Sequence, residues 1–193
     1  MKVCIYGAGA IGGHIGGHLA RGGADVSLIA RGPHLDALQR NGIRVVSVDD
    51  DFTMPVFATD DPAELGPQDY VFITLKSHQV DGVLDLMKPL LGPETVVIPP
   101  TTGIPWWYFY KLAGPHTDHR LPELDPGDRQ WSIIGPERVI GCAFWTGAEV
   151  LEPGVVHQDG KRGAYPIGEP GGETSPRLAA LVEAMTAGGL HAP

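Results

Sequence analysis

The sequence is most constrained by Gly7-Ala8-Gly9-Ala10-Ile11-Gly12, a G-x-G-x-x-G whose meaning depends on what flanks it. Residues 3–6 form a short apolar run, the pattern of a strand buried on both faces. Residues 10–21 read as a helix that stops at Gly22-Gly23, and residues 25–30 (DVSLIA) read as a second buried strand. Strand, glycine turn, helix and strand in that order build a βαβ unit. In such a unit Gly7 makes the tight turn, Gly9 lets the backbone approach a pyrophosphate, and Gly12 lets the helix pack closely on the strand. The helix N-terminus offers free N–H groups and a partial positive charge to the same phosphates. Gly7, Ala8, Gly9, Ala10, Ile11 and Gly12 are therefore candidate contacts to a dinucleotide. A plain strand–turn–helix without ligand is the alternative.

The end of the second strand selects between dinucleotides. An NAD site usually carries Asp or Glu there, to bind the ribose 2′-hydroxyl. This chain has Ile29-Ala30-Arg31-Gly32 and no acid. Arg31 suits a 2′-phosphate, which a guanidinium grips through two parallel charge-assisted bonds. NADP(H) is expected over NAD(H), with a solvated surface arginine as the competing explanation of Arg31. Nucleic acid is not expected as a partner, because the net charge is −9 and a phosphate-binding surface needs a basic excess.

Beyond the first unit the alternation continues. Residues 34–40 look helical and are closed by Asn41-Gly42. Two β-rich runs, 43–48 and 52–58, flank Asp49-Asp50-Asp51 as a hairpin or meander. Residues 69–75 (DYVFITL) read as a buried strand, 80–91 as the next helix, and 95–98 as a strand stopped by Pro99-Pro100. Residues 114–136 are polar and turn-rich, a surface excursion. Strands are then expected at 138–145, 150–156 and 165–167, as antiparallel additions to the sheet, with a last helix at 177–187 behind Ser175-Pro176. The class is α/β: one doubly wound Rossmann-type parallel sheet over residues 1–193, with additional antiparallel strands late in the chain. Cys4 and Cys142 lie in apolar runs and read as buried side chains, so a reducing compartment is expected. The first strand begins at the chain start with no signal-peptide pattern, and no apolar run suits a membrane span. A cytoplasmic protein with no membrane partner is the expectation.

Four segments in order, YGAGAIGG at 6–13, LIARGPHLDALQRNGI at 28–43, TLKSHQ at 74–79 and TTGIP at 101–105, resemble the N-terminal domain of the ketopantoate reductases (2-dehydropantoate 2-reductases). The likeness continues at 141–148, at Gly154-Val155-Val156-His157 and at Pro166-Ile167-Gly168. The resemblance implies that Lys76 contacts the cofactor and polarises the site as a catalytic group. An ammonium at a strand's carboxyl end sits where open α/β sheets bind ligands, although a snorkelling surface lysine would read the same. It also implies that Thr102 and Gly103 stand at a turn near the nicotinamide, where the family has Gln-Asn-Gly, and that Ala148 gives a backbone contact to the cofactor. Family members continue into a helical C-terminal domain for substrate binding and dimerisation, which carries a catalytic lysine. That domain is expected to be absent from this chain, and Lys111 and Lys161 lie in the wrong context to replace its lysine. The implied activity is NADPH-dependent reduction of a 2-oxo acid to a 2-hydroxy acid, with this chain as the cofactor half and a homodimer as an option for a full-length form. Another hydroxyacid- or opine-type dehydrogenase, or a non-catalytic NADP-binding module, remains the alternative.

Trp106-Trp107-Tyr108-Phe109-Tyr110 could wall the nicotinamide, dock another domain or pack at the sheet edge. His14 and His18 have a zinc-compatible i, i+4 spacing but no third ligand nearby, and His116, Asp118 and His119 read better as a solvated loop, so no metal is expected. A serine hydrolase is not indicated, since no G-x-S-x-G occurs.

Overall fold

The computed structural model describes residues 1–99 and 103–193. Five parallel strands form the central sheet: β1 (Lys2–Tyr6), β2 (Asp25–Ile29), β5 (Phe57–Thr59), β6 (Tyr70–Ile73) and β7 (Val96–Ile98). Their spatial order is β5-β2-β1-β6-β7, so the chain reverses its direction of travel between β1 and β6. That reversal leaves a crevice at the carboxyl ends of the two strands, the usual ligand position in an open α/β sheet.

Alternate residues of each strand feed two separate cores. Val3, Ile5, Phe72 and Ile98 join a cluster with α1 (Ala10–Arg21) and α6 (Pro176–Ala187). Cys4, Tyr6, Val71, Ile73 and Val97 join the opposite cluster with Val80, Leu84, Met87, Trp106 and Ile134. Period-two side-chain alternation with both faces apolar is what a doubly covered sheet requires. Cys4 and Cys142 are both free and buried.

A second sheet, ordered β4-β3-β10-β9, lies on the far side of α1. It consists of β3 (Ile43–Val46), β4 (Asp51–Met54), β9 (Trp145–Glu152) and β10 (Val155–Ala164). The late strands are thus not additions to the parallel sheet, as the sequence suggested. Val155, Val156 and His157 of β10 pair parallel with Arg44, Val45 and Val46, which places the whole hairpin against α1 instead. A Cβ on Gly13 would stand 2.8 Å from Val156, and one on Gly17 would press on Val45, so bare backbone lets α1 lie between two sheets.

Other boundaries shift for local reasons. Pro55 splits the run 52–58 between β4 and β5, and the Pro153-Gly154 turn divides 150–156 between β9 and β10. The late run 138–145 gives only β8 (Gly141–Cys142) and the first residue of β9, while 165–167 is divided before β11 (Ile167–Gly168) at Pro166. The helix expected at 80–91 is replaced by α3 (Ser77–Val80), α4 (Leu84–Met87) and single 3-10 turns, consistent with Gly82 and Pro89 inside that stretch. The polar stretch 114–136 contains α5 (Arg129–Ile133), whose Trp131 packs edge-on against Trp106 with ring centroids 5.9 Å apart. α2 (Gly32–Asn41) and α6 match the sequence expectation to within two residues. No helix among the described residues is long and apolar enough to cross a membrane.

Candidate functional site

The crevice is a cleft of about 870 Å³ whose wall includes Tyr6–Ile11, Ile29–Arg31, Thr74–Lys76 and the hairpin residues Ala148 and Val150. Its floor is the glycine turn. The amides of Gly7 and Ala8 donate to the Ile29 carbonyl at 3.3 and 2.9 Å, tying the turn to the end of β2. From the other side the Thr74 hydroxyl donates to the Gly7 carbonyl at 2.6 Å. The turn is therefore held from both sides, by the end of β2 and by Thr74 just beyond β6.

The three glycines are used differently. Gly7 has φ +107°, a conformation L side chains rarely adopt. Gly12 lies behind the turn, where a Cβ would collide with the Gly7 carbonyl and the Thr74 hydroxyl. At Gly9 a Cβ would meet nothing within 4 Å and would project into open space. Gly9 is a wall residue of the cleft, so this space is a cradle that any side chain would fill. Gly9 is also the N-cap of α1, with no side chain capping it and no acid in the first turn. The first amides of the helix have no intrahelical partner and stand ready for an anion. The cradle and the free amides fit a dinucleotide pyrophosphate.

The electrostatics agree with that fit. In a chain of net charge −9, the cleft wall contains Arg31 and Lys76 and, among the described residues, no Asp or Glu. Arg31 is the N-cap of α2 and exposed, and Lys76 is the exposed residue just beyond the end of β6. Neither forms an ion pair among the described residues. Lys76 has its backbone fixed by Gln79, whose side chain accepts the Lys76 amide at 3.0 Å while the Gln79 amide donates to the Lys76 carbonyl at 2.8 Å.

Of the residues singled out by sequence, the cleft brings together Gly7, Ala8, Gly9, Ala10, Ile11, Arg31, Lys76 and Ala148. Gly12 supports the turn from behind. Gly103 is exposed, with φ +147°, and does not belong to this wall. Thr102, with Thr101 and Pro100, lies outside the described residues. The aromatic run separates: Trp106 is buried beside Trp131, Phe109 meets His116 and His119, and Tyr108 is half exposed. None of the five lines the cleft. His14 and His18 are buried and occupied by hydrogen bonds, to the Tyr165 hydroxyl at 2.7 Å and the Gly188 carbonyl at 2.8 Å. Cleft residues not expected from the sequence include Tyr6, His34, Thr74, Gln79 and Val150. A threonine ending a strand carries no distinctive signal, and the partner that identifies His34 is Gly154, far along the chain.

A doubly wound parallel sheet with a glycine turn and an acid-free cationic cleft at its switch point defines a Rossmann-type domain of the dinucleotide-binding kind. Comparison with known proteins narrows the class. The pattern of the Ketopantoate reductase PanE/ApbA family matches residues 3–104. The chain is similar to a 2-dehydropantoate 2-reductase from Mesorhizobium japonicum, 46% identical over 100% of this chain and 59% of the relative. It superposes on a candidate ketopantoate reductase from Ralstonia solanacearum with a TM-score of 0.90 and 38% identity, over 98% of this chain and 59% of that one. It also matches a 2-dehydropantoate 2-reductase from Porphyromonas gingivalis with a TM-score of 0.79 and 27% identity, over 100% and 63% of the respective chains. The chain belongs to the ketopantoate reductase family, a family of nicotinamide-dependent oxidoreductases. It spans about three fifths of the length of these relatives.

Proposed function

We propose that this chain is the NADP(H)-holding half of a reductase that converts a 2-oxo acid, 2-dehydropantoate in the first instance, to the 2-hydroxy acid. The observation that carries the reading is the cleft wall, with a glycine cradle at one point, Arg31 and Lys76 as its cations, and no carboxylate. The amides at the start of α1 would hold the pyrophosphate, and Arg31 would hold the 2′-phosphate where an NAD site would carry an acid. Lys76 would steady negative charge at the end of β6, and Ala148, within the edge strand β9, would give the cofactor a backbone contact. The bound cofactor would supply the hydride to the substrate ketone. The proton for the resulting alkoxide is assigned to a cationic acid in the portion of the longer relatives that this chain does not span.

Two measurements test this. In titrations of the chain followed by nicotinamide fluorescence, NADPH should bind at least tenfold more tightly than NADH, and comparable affinities would refute the cofactor assignment. NADPH oxidation with 2-dehydropantoate should be undetectable for the 193-residue chain and present in a form extended to the length of its relatives. Turnover by the short chain would refute its role as a half-site.

A further inference from the structure

The glycine turn keeps its shape through bonds that come from outside it. Gly7 has φ +107°, and glycine permits that conformation without enforcing it. The peptide unit between Gly7 and Ala8 is therefore held by its neighbours. Its N–H, that of Ala8, donates to the Ile29 carbonyl at 2.9 Å. Its carbonyl, that of Gly7, accepts from the Gly9 amide at 2.8 Å and from the Thr74 hydroxyl at 2.6 Å. A carbonyl oxygen has two lone pairs, and these two donors use both. The Gly9 bond lies inside the turn and moves with it. The Thr74 bond ties the same carbonyl to the sheet.

Thr74 is half-buried in the cleft wall, and its own position is well fixed. Its amide donates to the Tyr6 carbonyl at 3.0 Å, which continues the β1–β6 pairing one residue past the strand. Its branched Cβ restricts χ1. A Cβ on Gly12 would collide with the Thr74 hydroxyl, so the third glycine leaves the space in which this hydroxyl sits. The consequence falls on the anion site. The Gly9 amide is used inside the turn, so a pyrophosphate is left to the first amides of α1, from Ala10 onward. Those amides follow within a few bonds of the peptide that Thr74 holds. Donors already aimed at a ligand spare the cost of ordering them on binding.

We propose that Thr74 is a positioning residue for cofactor binding: acting through the Gly7 carbonyl, its hydroxyl keeps the first amides of α1 aimed at the pyrophosphate of a dinucleotide. The proposal rests on the dinucleotide reading above. It is independent of the choice between NADPH and NADH, which carry the same pyrophosphate.

The test uses the whole chain with Thr74→Ala and Thr74→Ser, two variants that differ only by the hydroxyl. Each is titrated with NADPH, with NADH and with adenosine 2′-phosphate, which has no pyrophosphate. Thr74→Ala should weaken NADPH and NADH alike, each about tenfold, while Thr74→Ser stays within about twofold of wild type. Adenosine 2′-phosphate should bind Thr74→Ala within about twofold of wild type, a result that a general loosening of the fold would not give. In the free chain the backbone ¹⁵N–¹H signals of Ala8, Gly9 and Ala10 should move in Thr74→Ala and return toward wild type in Thr74→Ser. Unchanged dinucleotide affinity in Thr74→Ala would overturn the proposal. So would equal weakening of all three ligands, or failure of Thr74→Ser to recover binding, either of which would make Thr74 a packing residue only. In those cases wild type still binds the dinucleotides and the cofactor reading stands. If wild type binds neither dinucleotide, the reading and the proposal fail together.

Discussion

Acidification should destabilise this protein in a pH range where its carboxylates are still charged, and the cause is one side chain on α1. His14 is 2% exposed, and its pKa is pushed down from 6.5 to about 3. Burial is the main cause, reinforced by the charges of His18 and Arg21 and opposed by Gln158. The His14 and His18 rings lie 4.5 Å apart, so a proton on one disfavours a proton on the other. Above pH 6.5 neither the folded nor the unfolded chain protonates His14, and its full contribution to stability is present. As pH falls below 6.5 the unfolded chain takes up a proton that the folded chain refuses, until the folded pKa near 3 is reached. Each unit in that interval costs about 1.4 kcal/mol, so His14 alone should remove about 2 kcal/mol between pH 6.5 and pH 5. His18, whose pKa is also lowered, chiefly by burial, adds to the loss in the same direction. Urea denaturation at pH 7, 6 and 5 measures the effect. His14→Gln should be less stable at pH 7, because Tyr165 loses its partner, yet its stability should decline less steeply toward pH 5. A wild-type stability that stays flat from pH 7 to 5, or an equal slope in the variant, would refute the account.

Gly9→Ala and Gly12→Ala should separate binding from folding. Gly9→Ala should melt within about a degree of wild type yet lose NADPH affinity at least tenfold, whereas Gly12→Ala should cost roughly 1–3 kcal/mol in denaturant titration, because its Cβ has no room. Glu169 is 7% exposed and is held well below its usual pKa by Arg177 and then by Ser175. Both Nε and Nη2 of Arg177 donate to it, at 2.7 and 2.6 Å, so Glu169→Gln should lower the stability at pH 7 by roughly 3 kcal/mol, read from the same titration. Lys76→Met should leave the melting temperature unchanged, since Lys76 is exposed, while reducing NADPH affinity about tenfold by fluorescence titration.

What could be read from the sequence was local. The glycine turn, the strand on each side of it and Arg31 fall within one short segment, and each residue's task follows from backbone sterics or charge. Lys76 was implied by the family resemblance, and its place beyond the end of a strand agrees with that. The second sheet could not be read in this way, because β10 pairs with β3 across a large sequence separation, and its apolar residues serve either sheet equally well in a periodicity pattern. The helix expected at 80–91 is the opposite case: Val80, Leu84, Met87 and Leu90 recur at helical spacing, but Gly82 and Pro89 interrupt the stretch. Those four residues are buried as the spacing demands, while the backbone between them breaks into short turns.

The second sheet also explains why the site needs residues beyond the matched family segment, which ends at residue 104. β9 brings Ala148 and Val150 to the cleft, and nothing in the glycine turn itself holds that strand in place. Three contacts do so. Val156 on β10 fills the space that Gly13 leaves open on α1. The parallel pairing of β10 with β3 fixes the register of the hairpin. The Gly154 amide then joins the hairpin's turn to His34 at the start of α2. Gly154 has φ +81°, and a Cβ there would also stand 3.1 Å from Ala37, so the close approach to α2 depends on glycine at this turn. The hairpin is therefore seated on the two helices whose N-termini face the cleft, α1 and α2. A shift of the hairpin would move the cleft wall at Ala148 and the Gly154–His34 hydrogen bond together.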